Sequence, residues 1–320
     1  MRLLGSLFLN QQLLKHKLKT ILRMKKIITL SISLFLIAHF AHAEDAADTT
    51  KIWKKGAVAG LNLSQTSLTN WAGGGQNSLA VNALFSGFTN YKKGHNVWDN
   101  ALDLSYGLLQ QGKTNVIKSD DKIDFNSKYG RYAFKHWYYT GLVNFKSQFA
   151  PGYNYPNDSV VISRFLAPAY VLASIGMDYK PNDHFSLYIS PITQKITIVN
   201  DSKLNAVGAF GVDSGSVIRS EFGGYLRMQY NKDVFTNVNF KTKLELFTNY
   251  AHNPQNIDVN WECLLSMKVN KYISATVSTQ MVYDDDIKIA VDKNNDGVVE
   301  ANGPRVQFKE VLGIGFSYKF

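Results

Sequence analysis

The sequence predicts an all-β fold: a transmembrane antiparallel β-barrel of about 12 strands, closed as an up-and-down meander. Three observations predict it. Apolar and polar residues alternate with a period of two through most of the chain. The alternating runs last about ten to fourteen residues, which is long for soluble strands and suits tilted membrane strands. Short connections alternate with longer polar ones, as in bacterial barrels.

The final segment has the clearest alternation. One face carries Phe308, Leu312, Ile314, Phe316, Tyr318 and Phe320, and the other carries Gln307, Lys309, Gly313, Gly315, Ser317 and Lys319. In a membrane barrel the apolar face meets lipid and the polar face lines the lumen. A secreted soluble β-sandwich, with its apolar faces turned inward, is the alternative that alternation alone leaves open.

Similar runs predict 12 strands, and the even number places both chain ends on one side of the membrane. The predicted strands are 56–65, 77–90, 97–110, 121–133, 136–149, 165–179, 184–198, 219–230, 236–250, 257–269, 272–284 and 305–320. The chain ends on Phe320, and a terminal strand that ends in Phe resembles the signal read by the outer-membrane barrel assembly machinery. That machinery and outer-membrane lipid are therefore the expected partners.

The connections support this arrangement. Short connections are predicted at 92–95, 134–136, 181–183, 231–233 and 269–271, and longer ones at 66–76, 111–120, 151–164, 200–217 and 284–304. The short connection at 252–256 departs from the trend. Aromatic residues gather at the short-turn side, namely Tyr91, Trp98, Trp137, Tyr138, Tyr179, Phe185, Tyr230, Phe235 and Tyr272. Because amphipathic rings prefer the membrane interface, we expect a girdle there.

The N-terminal region predicts export. Residues 24–43 have a basic start, an apolar stretch of about a dozen residues and the small-residue pattern Ala41-His42-Ala43, which together indicate a signal peptide. Residues 1–23 fit no role before such a signal and are interpreted as a start-site artefact, with Met24 as the initiator. A short segment, 44–55, then precedes the barrel at 56–320. The expected location is the outer membrane of a Gram-negative cell.

Charge and cysteine content exclude some classes of protein. The chain has a formal net charge of +10. Removing the seven basic residues of 1–43 leaves 28 basic and 25 acidic residues in the predicted mature chain. The basic character therefore gives no argument for binding nucleic acid. The single cysteine, Cys263, excludes a disulfide framework and is interpreted as a small apolar surface residue.

Four segments carry a resemblance to a known family. They are Gln65–Ala80 (QTSLTNWAGGGQNSLA), Asp121–Gly130 (DKIDFNSKYG), Phe149–Asp158 (FAPGYNYPND) and Phe165–Asp183 (FLAPAYVLASIGMDYKPND). They resemble an uncharacterised Bacteroidetes family catalogued as domain of unknown function 3078, over essentially all of the predicted mature chain. The resemblance implies an outer-membrane or periplasm-facing β protein. It implies no activity and no catalytic residues.

Charged residues on the predicted lumen faces are the first candidate site. They are Asp99, Asp103, Glu221, Arg227, Lys241, Lys243, Glu245 and Glu262. Both signs are present, so pairs across strands can satisfy them. Such pairs can close a narrow lumen or line a small pore, and the sequence leaves both readings open.

Two loops are further candidates. Trp71 with Gly73, Gly74 and Gly75 could bind a ligand or fold over the lumen, since glycine permits close backbone approach and Trp gives a flat contact surface. Asp292, Asn294 and Asp296 match the first half of a calcium loop, with Glu300 as an irregular fourth ligand. The alternatives are a loop that packs on itself and a solvated outer hairpin. Weak calcium binding is the only cofactor expected.

The favoured function is a passive small-solute channel, or a binding and transport barrel. A structural or interaction barrel with a salt-bridged, closed lumen is the alternative, and an outer-membrane hydrolase is the third. We expect no enzyme, because His95, His136, His184 and His252 all fall in turns or loops, away from the mid-strand position that a lipase-like triad needs. The substrate and the oligomeric state are left open.

Overall fold

Long antiparallel strands make up most of the chain in the computed structural model, which describes residues 52–68, 76–155, 157–287, 289–291 and 301–319. The predicted start-site segment and signal peptide, 1–43, lie outside the described residues. Within the described residues, no helix is long and apolar enough to cross a bilayer.

Twelve of the described strands close into one barrel. They are β1 (Trp53–Thr66), β2 (Ser78–Lys93), β3 (Asn96–Gln111), β4 (Ile117–Phe134), β5 (Trp137–Ser147), β8 (Ala169–Asn182), β9 (Phe185–Ile198), β10 (Ile218–Phe235), β11 (Val238–Asn249), β12 (Ile257–Lys268), β13 (Ile273–Tyr283) and β16 (Gln307–Lys319). Smaller elements lie in the connections: strand β6 (Gly152–Tyr153) pairs with β7 (Val161–Ser163), β14 (Ile289–Val291) pairs with β15 (Ala301–Gly303), and a helix, α1 (Ser202–Ala206), precedes a 3-10 turn at Ala209–Gly211.

The strand order is that of a closed meander. Around the ring it runs β1-β16-β13-β12-β11-β10-β9-β8-β5-β4-β3-β2 and returns to β1. The neighbouring pairs are antiparallel, from β1 with β2 through to β13 with β16 and β16 with β1. The predicted fold class, a closed antiparallel barrel of 12 strands, is therefore confirmed.

The two ends of the barrel differ. At one end, here called the short-turn end, the connections are 94–95, 135–136, 183–184, 236–237 and 269–272. At the other, the long-loop end, most connections are longer and carry the small hairpins and α1. The exceptions are 112–116 and 250–256, which are short. The first strand begins and the last strand ends at the short-turn end.

The predicted loop at 111–120 is wrong, because β4 already begins at Ile117. The polar residues Lys118 and Asp120 lie within β4, where Asp120 has side-chain partners on other strands. Asn82 on β2 donates a hydrogen bond of 3.3 Å from Nδ2 to Asp120 Oδ2, and Lys309 on β16 forms an ion pair with the same carboxylate. A run of charges can thus belong to a strand when other strands supply its partners.

Two other predicted bounds are also corrected. The strand predicted from residue 165 begins at Ala169, because Pro168 has no N–H for the ladder and Leu166 turns the chain with a φ of 57°. The turn predicted at 231–233 lies at 236–237, because β10 continues to Phe235 through a bulge after Asp233.

The outer wall of the barrel is apolar. Large hydrophobic side chains at mid-strand positions remain exposed, including Ile175 (66%), Ile192 (54%) and Leu312 (72%). Exposed side chains of this kind recur on every side of the ring. A continuous apolar surface of this kind suits hydrocarbon, and the closed ring leaves no unpaired strand edge for lipid to meet.

Aromatic rings form a girdle at the short-turn end. The ring centroids of Trp53 and Tyr91 lie 5.0 Å apart, and those of Trp53 and Trp98 lie 6.1 Å apart. On the other side of the ring, Trp137 and Tyr179 lie 5.0 Å apart. The apolar wall therefore ends in rings with polar tips, which is the arrangement that a membrane interface favours.

Candidate lumen network

A set of ion pairs joins opposite walls of the barrel near its middle. Lys122 Nζ lies 2.7 Å from Glu262 Oε2, and Lys243 Nζ lies 2.8 Å from Asp124 Oδ2 and 3.0 Å from Glu262 Oε1. Lys122 and Asp124 stand on β4, whereas Glu262 stands on β12, which is six places away in the ring of twelve. Side chains on strands that far apart can meet only through the interior. The lumen is thus bridged at this level.

Glu245 on β11 extends this central cluster. Its Oε1 accepts a hydrogen bond of 2.7 Å from the Tyr225 hydroxyl, and its Oε2 accepts one of 2.8 Å from Asn260 Nδ2. Lys146 on β5 forms an ion pair with Glu245, and Arg227 Nη1 lies 3.6 Å from Glu245 Oε1. The carboxylate therefore has two cations and two neutral donors, which offset the cost of burying its charge.

A second cluster lies nearer the short-turn end. Lys128 Nζ lies 2.6 Å from Asp178 Oδ2 and donates a hydrogen bond of 2.8 Å to Ser186 Oγ. Lys180 forms an ion pair with Asp99, and its Nζ lies 3.6 Å from Asp178 Oδ2. Lys128 and Asp178 are almost fully buried. Ions at this depth are tolerated because each one has a partner of opposite sign.

A third cluster lies nearer the long-loop end. Lys195 Nζ is 2.6 Å from Asp258 Oδ2, 3.6 Å from Glu221 Oε2 and 3.7 Å from Asp284 Oδ2. Arg219 Nη2 lies 3.1 Å from Glu221 Oε1. Cations and acids thus meet at three heights along the barrel axis.

Apolar side chains fill part of the same interior. Leu142, Leu172, Tyr188, Tyr225 and Phe247 form one buried cluster on β5, β8, β9, β10 and β11. The rings of Tyr188 and Tyr225 lie 6.2 Å apart. Sequence reasoning missed this cluster, although Tyr225 lies two residues from Arg227 and Phe247 lies two residues from Glu245, both inward charges.

The inner face of the wall formed by β1, β2, β3 and β16 carries fewer buried side chains. Lys241 Nζ lies 3.9 Å from Asp103 Oδ1 across the interior, and their side chains remain 36% and 29% exposed. Inward positions on β16 include Gly313 and Gly315. The packed half and the open half together make the lumen asymmetric.

All eight charged residues singled out from the sequence take part in these pairs. Asp99, Asp103, Glu221, Arg227, Lys241, Lys243, Glu245 and Glu262 each have a partner of opposite sign within 4.0 Å. Their partners outside this set were not foreseen: Lys122, Asp124, Lys146, Lys180, Lys195 and Arg219. The sequence pattern could have indicated these partners. Each one lies an even number of residues from another inward-facing residue on its strand, and such residues share a face.

Both predicted loop sites lie outside the described residues: Trp71 with Gly73, Gly74 and Gly75, and the calcium loop with Asp292, Asn294, Asp296 and Glu300. Within the described part of the chain, no group of three or more His, Cys, Asp or Glu side chains is arranged to hold a metal ion. Cys263 is half-buried, with its Sγ 3.2 Å from Thr242 Oγ1.

The histidines lie at the ends of the barrel. His184 Nδ1 is 3.1 Å from the Asn231 carbonyl oxygen, and His252 Nε2 is 3.3 Å from Asn253 Nδ2. The His136 ring packs edge-on against Tyr179 at 6.5 Å. These contacts involve neither a serine nor a carboxylate, so they do not assemble a nucleophile and a base.

The closed ring, the apolar wall and the polar interior define a β-barrel of the transmembrane class. Residues 63–153 match a family described as "Protein of unknown function (DUF3078)", so the resemblance seen in the sequence is confirmed over that part of the chain. No curated protein sequence matches the chain.

Several solved barrels are similar in structure. An outer membrane channel from Pseudomonas putida F1 has a TM-score of 0.38 and 11% identity, covering 87% of this chain and 100% of its own. The translocator domain of the autotransporter NalP from Neisseria meningitidis has a TM-score of 0.33 and 9% identity, covering 92% and 96%. The outer membrane phospholipase A of Escherichia coli has a TM-score of 0.35 and 11% identity, covering 87% and 94%. No activity follows from likeness at this level.

Proposed function

We propose that this protein is an outer-membrane barrel whose lumen is closed by ion pairs, and that it serves as a structural or interaction barrel. One observation carries the proposal: Lys122 and Lys243 bridge to Glu262 and Asp124 between strands on opposite sides of the ring. A water-filled pore needs an open path along its whole length, and direct ion pairs cross the lumen at the level of Lys122 and Glu262.

The size of the barrel supports a closed interior. Side chains fill barrels of about 8 strands, and open aqueous channels are typical of about 16 to 18 strands. A ring of 12 lies between these limits, so its interior depends on the side chains that it carries. Here three charged clusters and an apolar cluster occupy the interior, mainly along β4, β5 and β8 to β12.

The outer surface supports placement in a membrane. The apolar wall, the aromatic girdle and the short connections at one end are the features of bacterial outer-membrane barrels, in which the short turns face the periplasm. The predicted signal peptide at 24–43 agrees with this location. Outer-membrane lipid and the barrel assembly machinery are the partners that this placement requires.

A planar bilayer recording tests the closed lumen. We expect the wild-type barrel to give no steady conductance. The quadruple variant Lys122→Ala, Asp124→Ala, Lys243→Ala and Glu262→Ala removes both cations and both acids of the central bridge, so the net charge is unchanged and no member of the bridge is left unpaired. We expect this variant to show discrete conductance steps.

The control variant Lys309→Ala with Asp120→Ala removes an ion pair near the long-loop end, where Lys309 is 42% exposed. The central bridge remains in this variant, so we expect it to stay closed. Heat-modifiable mobility in mild SDS would show that each variant is folded. A steady wild-type conductance, or equal conductance of the quadruple variant and the control, would contradict the proposal.

A narrow small-solute channel is the second candidate. The open half of the lumen favours it, since Lys241 and Asp103 are about one-third exposed and 3.9 Å apart. In that case the wild type conducts, and Lys241→Glu shifts the selectivity toward cations because it replaces a lumen cation by an anion. Reversal potentials in unequal salt would measure the shift.

A further inference from the structure

Exposed basic residues surround the short-turn end of the barrel. They are Lys54, Lys55, Lys92, Lys93, Arg131, Lys135, Lys232, Lys268 and Lys271. The exposed acidic residues described at this end are Asp183 and Asp233. The charge therefore has one dominant sign, and Lys92, Lys93 and Arg131 lie beyond the row of rings formed by Tyr91, Trp98 and Tyr129.

One sector of this rim forms a pocket on the outer wall. Lys93, His95, Asn96, Tyr129 and Arg131, together with Tyr91 and Gly94, line a shallow space of about 510 Å³. The strand register explains the grouping: Lys93 on β2 is opposite Asn96 on β3, which is opposite Arg131 on β4. Two cations thus lie side by side across three adjacent strands.

A row of aromatic rings indicates how deep this pocket lies in the membrane. Two residues further into the barrel on each strand, Tyr91 is opposite Trp98, and Trp98 is opposite Tyr129. Trp98 and Tyr129 are 40% and 50% exposed on the outer wall. Since such rings lie at the boundary between acyl chains and headgroups, the cations beyond them reach the depth of lipid phosphates.

The two cations are free to bind a ligand. Within the described residues, Lys93 and Arg131 have no acidic side chain within 4.0 Å, whereas the cations inside the barrel are paired. Arg presents a planar fork of donors that matches phosphate oxygens, and Lys adds a point charge. Asn96 supplies a neutral amide between them.

We infer that this pocket binds the phosphate of a phospholipid, with a preference for an anionic headgroup, in the leaflet at the short-turn end. The inference rests on the membrane placement proposed above and is independent of whether the lumen conducts. The lipid tails lie along the apolar wall beside Tyr129, and the phosphate lies between Lys93 and Arg131.

Native mass spectrometry of the full chain in detergent micelles tests the site. The probes are dioleoyl phosphatidylglycerol and dioleoyl phosphatidylcholine, which share their tails and differ in net charge. We expect phosphatidylglycerol to bind more tightly. Each cation near an anionic lipid surface is worth roughly a fivefold change in affinity, so Lys93→Gln with Arg131→Gln should weaken binding by about 25-fold.

The matched control is Lys268→Gln with Lys271→Gln, which removes the same charge elsewhere on the rim. We expect its affinity to stay within about twofold of the wild type. Equal loss in both double variants would overturn the pocket, since it would indicate a diffuse charge effect. Equal binding of the two wild-type lipid probes would overturn the headgroup preference.

A competition arm separates lipid from free phosphate. Inorganic phosphate at millimolar concentration should leave bound phosphatidylglycerol in place, and complete displacement would overturn the lipid assignment. Heat-modifiable mobility of each variant shows whether the barrel is folded. An unfolded wild type would overturn the membrane placement itself, whereas a folded barrel without lipid selectivity would overturn only this inference.

Discussion

At the scale of single residues, period-two parity identifies which charges share a face but not which charges meet. Lys122 and Glu262 are 140 positions apart, and nothing local to either residue indicates the other. Their contact depends on the closure of the ring, which brings β4 opposite β12. Parity therefore predicted the class of inward residues, whereas the bridge itself required the fold.

A residue on the opposite face provides a direct test of lipid exposure. Leu312 is 72% exposed at the middle of β16. We expect Leu312→Arg to lower the free energy of unfolding by about 2–4 kcal/mol, because a charge on the lipid face near the bilayer midplane is costly. Urea titration in lipid vesicles would measure the loss.

Leu312→Met is the control for this prediction, because it keeps an apolar side chain of similar volume, and its cost should stay below about 1.5 kcal/mol. If both variants lost the same free energy, the side chain would not face hydrocarbon.

At the scale of elements, the strands could be predicted because alternation is a local property. The predicted 257–269 corresponds to Ile257–Lys268, and 184–198 corresponds to Phe185–Ile198. Errors arose where local cues conflict with tertiary partners. Residues 117–120 were predicted to lie in a loop, but Lys118 and Asp120 pair with β3, and the Asp120 carboxylate has side-chain partners from Lys309 and Asn82.

The turn between β4 and β5 offers a prediction at this scale. Lys135 and His136 have φ angles of 39° and 71°, in the left-handed region that costs a lysine free energy. Asparagine adopts that region more readily and is common in two-residue hairpin turns. We expect Lys135→Asn to raise the free energy of unfolding by about 0.5–1 kcal/mol, measured by the urea midpoint.

Lys232→Asn is the comparison for the turn. Lys232 lies within β10, where asparagine is disfavoured, so this variant should lose a little stability or none. A shift of the same sign in both variants would mean that the turn geometry is not the cause.

At the scale of the whole molecule, the lumen is filled unevenly. Buried polar groups such as Asp124, Lys128 and Arg227 cluster on one side, and smaller, more exposed residues line the other. The sequence predicted a polar interior of mixed sign. It could not predict this asymmetry, because the position of each inward side chain around the ring depends on strand order and stagger.

The ring itself can be tested at one glycine. A Cβ at Gly315 on β16 would lie 2.3 Å from the Leu61 carbonyl oxygen on β1, which is too close for any real contact. We expect Gly315→Ala to prevent stable closure between the first and last strands. The folded band in mild SDS without heating should then be lost.

Gly141→Ala is the control for closure, since the nearest atom to its Cβ would be the Ser174 carbonyl oxygen at 4.0 Å. This variant should keep the folded band. A normal folded band for Gly315→Ala would show that β1 and β16 can shift apart to admit a methyl group.

The seam between β1 and β16 is short. Within the described residues its register covers only Val58–Asn62 against Gly315–Lys319, whereas β1 and β2 are in register from Trp53 to Thr66. Joining the two ends of so long a chain has an entropic cost. The pairing between β1 and β16 forms fewer ladder hydrogen bonds than the pairing between β1 and β2, so it offsets less of that cost. The pairing between β1 and β16 is therefore the weakest in the barrel, and lateral tension in the membrane would separate these two strands first.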